Sequence, residues 1–130
     1  MKTCLKISMN RELLQTILEG ARRLYPREVI LLLRGKRRKD VIEITELLVP
    51  PLARYGRGFA EIRLHMMPTD FSIVGTVHSH ASGNMTPSNT DLNHLFGAIL
   101  MIAAFPFTDE KNIGVYNHDG EKLALHIHES

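Results

Sequence analysis

Three short stretches of this chain are dominated by strand-forming apolar residues and carry no charge: residues 29–33 (VILLL), 71–77 (FSIVGTV) and 98–105 (AILMIAAF). All three are short and bounded by polar or turn-forming residues, as strands are. A strand that is apolar at consecutive positions must be covered on both faces, so the chain has to build a sheet with other elements packed on it. Elsewhere the pattern supplies the cover. Leu13, Leu14, Ile17, Leu18, Ala21 and Leu24 recur at helical spacing within residues 10–25. Asn10 is placed to cap that helix, Glu12 lies in its first turn, and Pro26 ends it. A second helix is expected over residues 88–96, capped by Ser88 and closed by Gly97. Alternating or short apolar segments at residues 2–7, 41–46, 62–66, 113–116 and 122–127 read as further strands, and residues 35–40, 50–58 and 117–120 as loops or turns. The expected fold class is α/β: a mixed, curved β-sheet flanked by two helices, one domain over residues 1–130.

Composition narrows the chemistry. The single cysteine, Cys4, excludes an internal disulfide and a thiolate zinc cluster, and reads as a small hydrophobe in the first strand. No apolar run approaches the length of a membrane span. Lys6, Asn10, Arg11 and Glu12 interrupt any signal-peptide core, so a cytoplasmic location is expected. The formal charge is only +2, but positive residues concentrate in RGKRRK, residues 34–39. That run reads either as a solvated hairpin turn or as a docking surface for an acidic partner. A nucleic-acid partner is not expected, because no aromatic interleaving, finger spacing or recognition helix accompanies the charge.

The reactive residue types cluster in HSHASGNMTPSNTD, residues 78–91. His78 and His80 stand two apart at the end of a strand, so both face the same way. Asp91 falls on the first turn of the following helix, where its carboxylate can swing toward the strand end. Two imidazoles and a carboxylate make three zinc ligands and leave a fourth position for water. His126 and His128 share the spacing but belong to the last strand, and read as edge residues facing solvent. Ser79, between the two candidate ligands, should point to the opposite face and be structural. Gly83 and Pro87 should shape the loop. Asn84 is expected at positive φ or bonding locally, and Met85 facing substrate or packing on the core. His94, three residues after Asp91, is a candidate neighbour of the metal or an ordinary histidine. His65 and His118 are assigned nothing.

The pattern His78-Ser79-His80, seven residues, Ser88, two residues, Asp91 resembles the signature of the JAMM (MPN+) metalloproteases, in a small prokaryotic or archaeal form. Glu28, in YPREVILLLRG, is similar to the glutamate that the family carries upstream. The resemblance covers most of the chain and implies a JAMM/MPN-like (cytidine-deaminase-like) fold. It further implies one Zn2+ per chain on His78, His80 and Asp91. Glu28 would then take a proton from the attacking water and pass it to the leaving amine, and Ser88 would steady the oxyanion. It implies hydrolysis of a peptide or isopeptide bond that frees a ubiquitin-like (β-grasp) protein from lysine or another amine. Only forty-nine residues separate Glu28 from His78, which leaves no room for long insertions. The substrate's thin Gly-Gly tail would bind by strand addition. Two other readings stand beside this one: a non-catalytic scaffold of MPN type, which the full ligand set disfavours, and a zinc hydrolase of small non-protein amides. A zinc nucleotide deaminase is excluded, since it needs two cysteines in P-C-x-x-C. Association of copies is left open.

Overall fold

The chain starts its first strand and its first helix without an intervening loop, and Asn10 makes the join. β1 (Lys6–Asn10) gives way to α1 (Arg11–Leu24), and the Asn10 side chain accepts the Leu13 amide at 2.8 Å. This is the expected cap, and it satisfies one of the donors that a helix start leaves over. Leu14, Ile17, Leu18 and Ala21 form the buried face, while Arg22 and Arg23 stand in the last turn, where the helix dipole favours cations. The computed structural model describes residues 5–49, 54–56, 59–61, 72–93 and 97–129.

Among these residues seven strands form one sheet. The chain continues through β2 (Ile30–Arg38), β3 (Val41–Leu48), β4 (Arg54–Gly56), β5 (Phe59–Glu61), β6 (Ile73–His80), α2 (Asn89–Asn93), β7 (Ile99–Ala104), β8 (Ile113–Tyr116) and β9 (Ala124–His128). The spatial order is β8-β7-β6-β2-β3-β1-β9, with β4 and β5 pairing only with each other. β6 runs parallel to β7, and β1 runs parallel to β3 and β9; the other neighbours are antiparallel. The two ends of this order also approach one another. The Leu123 amide donates to Val115 O at 2.8 Å, and Tyr116 and Lys122 form a bridge, so the curved sheet nearly closes.

The expected interior strands are mostly buried, and β7 is buried throughout. Ile99, Leu100, Met101, Ile102 and Ala103 have no exposed surface. Ile99, Met101 and Ala103 pack with Leu14, Ile17 and Leu18 of α1, whereas Leu100 and Ile102 pack with Tyr116 and Leu92 of α2. Alternation along β7 thus places one helix on each side, as a doubly covered strand requires. Residues 99–104 are a strand rather than a continuation of the second helix. Gly97 makes the break at φ +92, with its Cα so close to Val74 that a Cβ would lie 2.6 Å from that residue's carbonyl. None of the described helices is long and apolar enough to cross a membrane.

Two expectations about loops are corrected. The basic run is not a loop: Arg34 to Arg38 continue β2 and pair as far as Arg38↔Val41, leaving a turn of only Lys39 and Asp40. Gly35 permits this, since it sits at a register shift where a Cβ would meet Glu43 O at 2.1 Å. Residues 50–58 are not wholly loop either, because Arg54–Gly56 pairs with Phe59–Glu61. The expected strand at 62–66, Cys4 and Phe71 lie outside the described residues, as does the end of the helix expected over 88–96.

Candidate metal centre

β6 delivers its last residues to the C-terminal end of the parallel β6–β7 pair, where the chain leaves the sheet for α2. In open α/β sheets that is where ligands bind. His78 and His80 are on β6, and Asp91 is on α2. The structure brings all three side chains together. His78 Nδ1 lies 3.7 Å from Asp91 Oδ1, and His80 Nε2 lies 3.3 Å from Asp91 Oδ2. Two donors held by one tetrahedral zinc at about 2.0–2.1 Å stand roughly 3.3–3.4 Å apart, a separation that His80 and Asp91 meet and that His78 and Asp91 exceed. Among the described residues no group of three or more His, Cys, Asp or Glu side chains is arranged as it stands to hold a metal ion; Asp91 meets each imidazole singly, through a different oxygen.

The spacing between Ser88 and Asp91 has a local cause. The Asp91 amide donates to Ser88 Oγ at 3.0 Å, and the Ser88 amide donates to Asp91 Oδ2 at 2.9 Å. This reciprocal pair is a capping box with aspartate in the acidic position, and it starts α2. The cap that Ser88 was expected to make is therefore present. It fixes the carboxylate in a single pose while leaving lone pairs for the histidines.

His80 is fixed from its other side. Its Nδ1 lies 2.8 Å from Asn84 O. A carbonyl only accepts, so Nδ1 carries the proton and Nε2 of the neutral ring turns a lone pair toward Asp91. A lone pair and a carboxylate facing each other at 3.3 Å need a cation between them, a proton or a metal ion. With a proton there, the hydrogen bond to Asp91 raises the His80 pKa, burial opposes this, and the Asn84 carbonyl and the charges of Asp91 and Glu28 add to the rise. Burial pushes the Asp91 carboxyl up, but the hydrogen bonds from His80 and the Ser88 amide, with the charges of both histidines, outweigh it and hold it at about 2.

Glu28 lies at the start of β2, half-buried, and its Oε2 accepts the Ala81 amide at 3.3 Å. The upstream glutamate thus reaches the residue after His80. Ser79 points away from the histidines, as strand alternation dictates, and is buried. The loop between β6 and α2 is tied down at several points. Tyr116 Oη donates to Met85 O at 2.6 Å, the Phe105 amide donates to His80 O at 3.0 Å, and Asn84 Oδ1 accepts the Thr86 amide at 2.9 Å. Asn84 therefore bonds locally, and Gly83 takes the positive φ. Tyr116 and the Asn84 carbonyl escape sequence reasoning, since a backbone oxygen has no residue signature and Tyr116 reads as a core aromatic. His118 is exposed, with Nε2 2.8 Å from Gly97 O. His65 and His94 fall outside the described residues.

Comparison with known proteins decides the lineage. The family of prokaryotic homologs of the JAB domain matches residues 10–115. The chain belongs to that family. This JAB-domain chain superposes on a solved structure presented as a JAMM, metalloprotease-like zinc site in the proteasome and signalosome. The TM-score is 0.67 and the identity 35%, over 98% of this chain and 100% of that one. A JAB1/MPN domain protein from Archaeoglobus fulgidus gives 0.68 and 37%, over 96% and 100%. A curated protein of Haloferax volcanii named "Probable metalloprotease" is 29% identical over 108 residues, 78% of this chain and 67% of its own. The expected JAMM membership and JAB/MPN fold are both borne out.

Proposed function

We propose that this JAB-domain chain is a zinc metalloprotease that holds its metal on His78, His80 and Asp91. The observation that carries the reading is the Asp91 carboxylate facing one nitrogen of each histidine, at 3.7 and 3.3 Å, with Glu28 anchored one residue beyond His80. The printed descriptions of the relatives, a metalloprotease and a metalloprotease-like zinc site, support the same chemistry. Two imidazoles and a carboxylate are a donor set suited to zinc. Zinc, when bound there, polarises a carbonyl and lowers the pKa of a water toward neutrality.

The chain's own groups do the rest. Asp91 and the Asn84 carbonyl orient the two nitrogens of His80, which fixes its tautomer. Glu28 is the general base: its carboxylate takes a proton from the attacking water and returns one to the leaving amine. Ser88 Oγ accepts the Asp91 amide and keeps its own O–H to donate toward the oxygen that becomes negative as the carbonyl is attacked. The substrate is a peptide or isopeptide. Resemblance to the JAMM proteases supports a β-grasp modifier released from lysine or another amine, its extended tail bound by main-chain hydrogen bonds.

Elemental analysis and a cleavage assay test this together. Protein reconstituted with zinc should carry about one equivalent per chain and cut a Gly-Gly–lysine isopeptide, and chelation should stop the cutting. No bound zinc after reconstitution, or cleavage indifferent to chelator, would overturn it.

A further inference from the structure

Ser79 sits between the two candidate ligands yet faces away from them, 4% exposed. Among the described residues its hydroxyl has one hydrogen-bond partner, and that partner leads to Glu28. Ser79 Oγ accepts the Val29 amide at 2.7 Å, while the Ser79 amide donates to Val29 O at 2.9 Å. The β2–β6 ladder pairs Ile30 with His78 and Leu31 with Val77, so Val29 opposite Ser79 is its next rung. In an ordinary rung of this kind two backbone amides exchange bonds with two backbone carbonyls. Here the serine hydroxyl stands in for one carbonyl. The substitution changes where the backbone at residue 29 lies against β6, and residue 28 is the next one along.

We infer that Ser79 is a positioning residue for Glu28, holding the backbone beside the base through the Val29 amide. This rests on the reading of Glu28 as the base. The Glu28 carboxylate has one further tie in the structure, the Ala81 amide at 3.3 Å, a long bond by the usual measure. The short bond at Val29 and the long one at Ala81 together tie Glu28 to the strand end that carries His78 and His80. A carboxylate on a free strand end would wander; one pinned at the adjacent amide does not. Displacements of about 1 Å in a reacting group can cost on the order of 10²-fold in rate.

The test compares two variants of equal shape. Ser79→Thr keeps the acceptor and Ser79→Val replaces it with a methyl. Both are good strand formers, and the added methyl has room in a gap of about 20 Å³ lined by Ile17, Gly20, Ala21, Val77, Ser79 and Ala103. Zinc content, kcat and KM on the Gly-Gly–lysine isopeptide, and backbone amide exchange in the metal-free protein are measured for both. The threonine variant is expected within a few-fold of wild type. The valine variant is expected to keep one zinc and the same KM but lose about 10²-fold in kcat. Its Val29 amide should exchange faster and its Ala81 amide resonance should move. Equal kcat in the two variants would overturn the inference, as would loss of zinc in step with rate, which would make the hydroxyl a support for the imidazoles. If the valine variant does not fold, Ser79→Ala carries the same comparison. If wild type itself shows no metal-dependent cleavage, the proposed function fails, and the amides then decide alone: an unmoved Ala81 resonance overturns the link from Ser79 to Glu28.

Discussion

The chain spells His-x-His twice, at residues 78–80 and 126–128, and the two copies meet different fates. The first pair ends a strand buried on both faces, and its side chains are 9% and 14% exposed. A carboxylate, itself 14% exposed, faces both rings. The second pair lies on β9, the edge strand of the sheet, and its rings stack on each other at 6.2 Å. There His128 lies 3.9 Å from Glu43, across a side-chain pair 34% and 47% exposed. Alternation alone puts two histidines on one face in both places. What distinguishes the first is the loop and capping box that bring in a third donor, together with burial that strengthens every interaction in the site.

The comparison can be broken most severely by removing one ring from the first pair and both rings from the second. His80→Ala should abolish stoichiometric zinc binding and all zinc-dependent cleavage. Replacing both His126 and His128 by Ala should leave zinc content and rate within about twofold. Elemental analysis beside a cleavage assay reads both, and a metal lost from the second variant would mean the edge pair has been misjudged.

A step smaller is Glu28, the proposed base, which lies beside the first pair. Glu28→Gln should keep the fold and the zinc and lose roughly 10²–10⁴-fold in kcat, the worth of a positioned acid–base group. Ser88→Ala should lose about 10²–10³-fold for an oxyanion donor, and about 1 kcal/mol of stability because the cap of α2 goes with it. Thermal melts run alongside the kinetics separate the two losses.

Protonation sharpens the contrast without any metal. His80 has a raised pKa in the fold, so its contribution to stability is full below the unfolded value of 6.5 and is lost as pH rises through the folded value. Asp91, lowered from 3.8 to about 2, contributes above 3.8 and loses that contribution as pH falls through about 2. The pair therefore stabilises the metal-free protein most between about pH 4 and 6.5, and zinc, which competes for the same nitrogen, should bind more weakly there than at pH 8. Melts of metal-free wild type and His80→Ala from pH 5 to 8.5 should converge as pH rises. Curves that stay parallel would show that His80 and Asp91 are not paired.

The smallest effect is expected on α1, on the side of β6 opposite the histidine rings. A Cβ at Gly20, in the middle of α1, would meet nothing within 4 Å. Gly20→Ala should raise stability by about 0.4–1 kcal/mol through the unfolded chain's entropy, with zinc and kcat unchanged.

How much of this was legible beforehand depended on whether a residue's role follows from its own type. Asn10, Ser88 and the apolar runs within residues 71–77 and 98–105 did what their residue types favour. So did the hairpin from Tyr116, whose turn at residues 117–120 carries Asn117 and Gly120. The basic run reads as loop because charge and glycine, here Gly35, are commonest there, yet it forms a strand. Long cationic side chains keep their heads in water from a strand as readily as from a turn, and the true turn at Lys39, φ 50, lacks the glycine that usually announces one. Within the site, the side chains proposed as donors are named from spacing and resemblance. The Asn84 and Met85 carbonyls that hold the loop are not, because every residue has such an oxygen and only the fold selects which ones matter.

Where the outer strands of the curled sheet nearly touch, one stretch of raw edge is already covered. Val115 O, which an open sheet would leave to the solvent or to a neighbour, is already taken by Leu123 within the same hairpin. Unpaired strand edges are the usual templates on which copies of a β-rich protein stack and precipitate. The short turn after Tyr116 thus acts as a safeguard on colloidal behaviour. Anyone grafting a tag or a loop into the chain would do well to leave residues 117–122 intact, and to expect clouding at high concentration if they are opened.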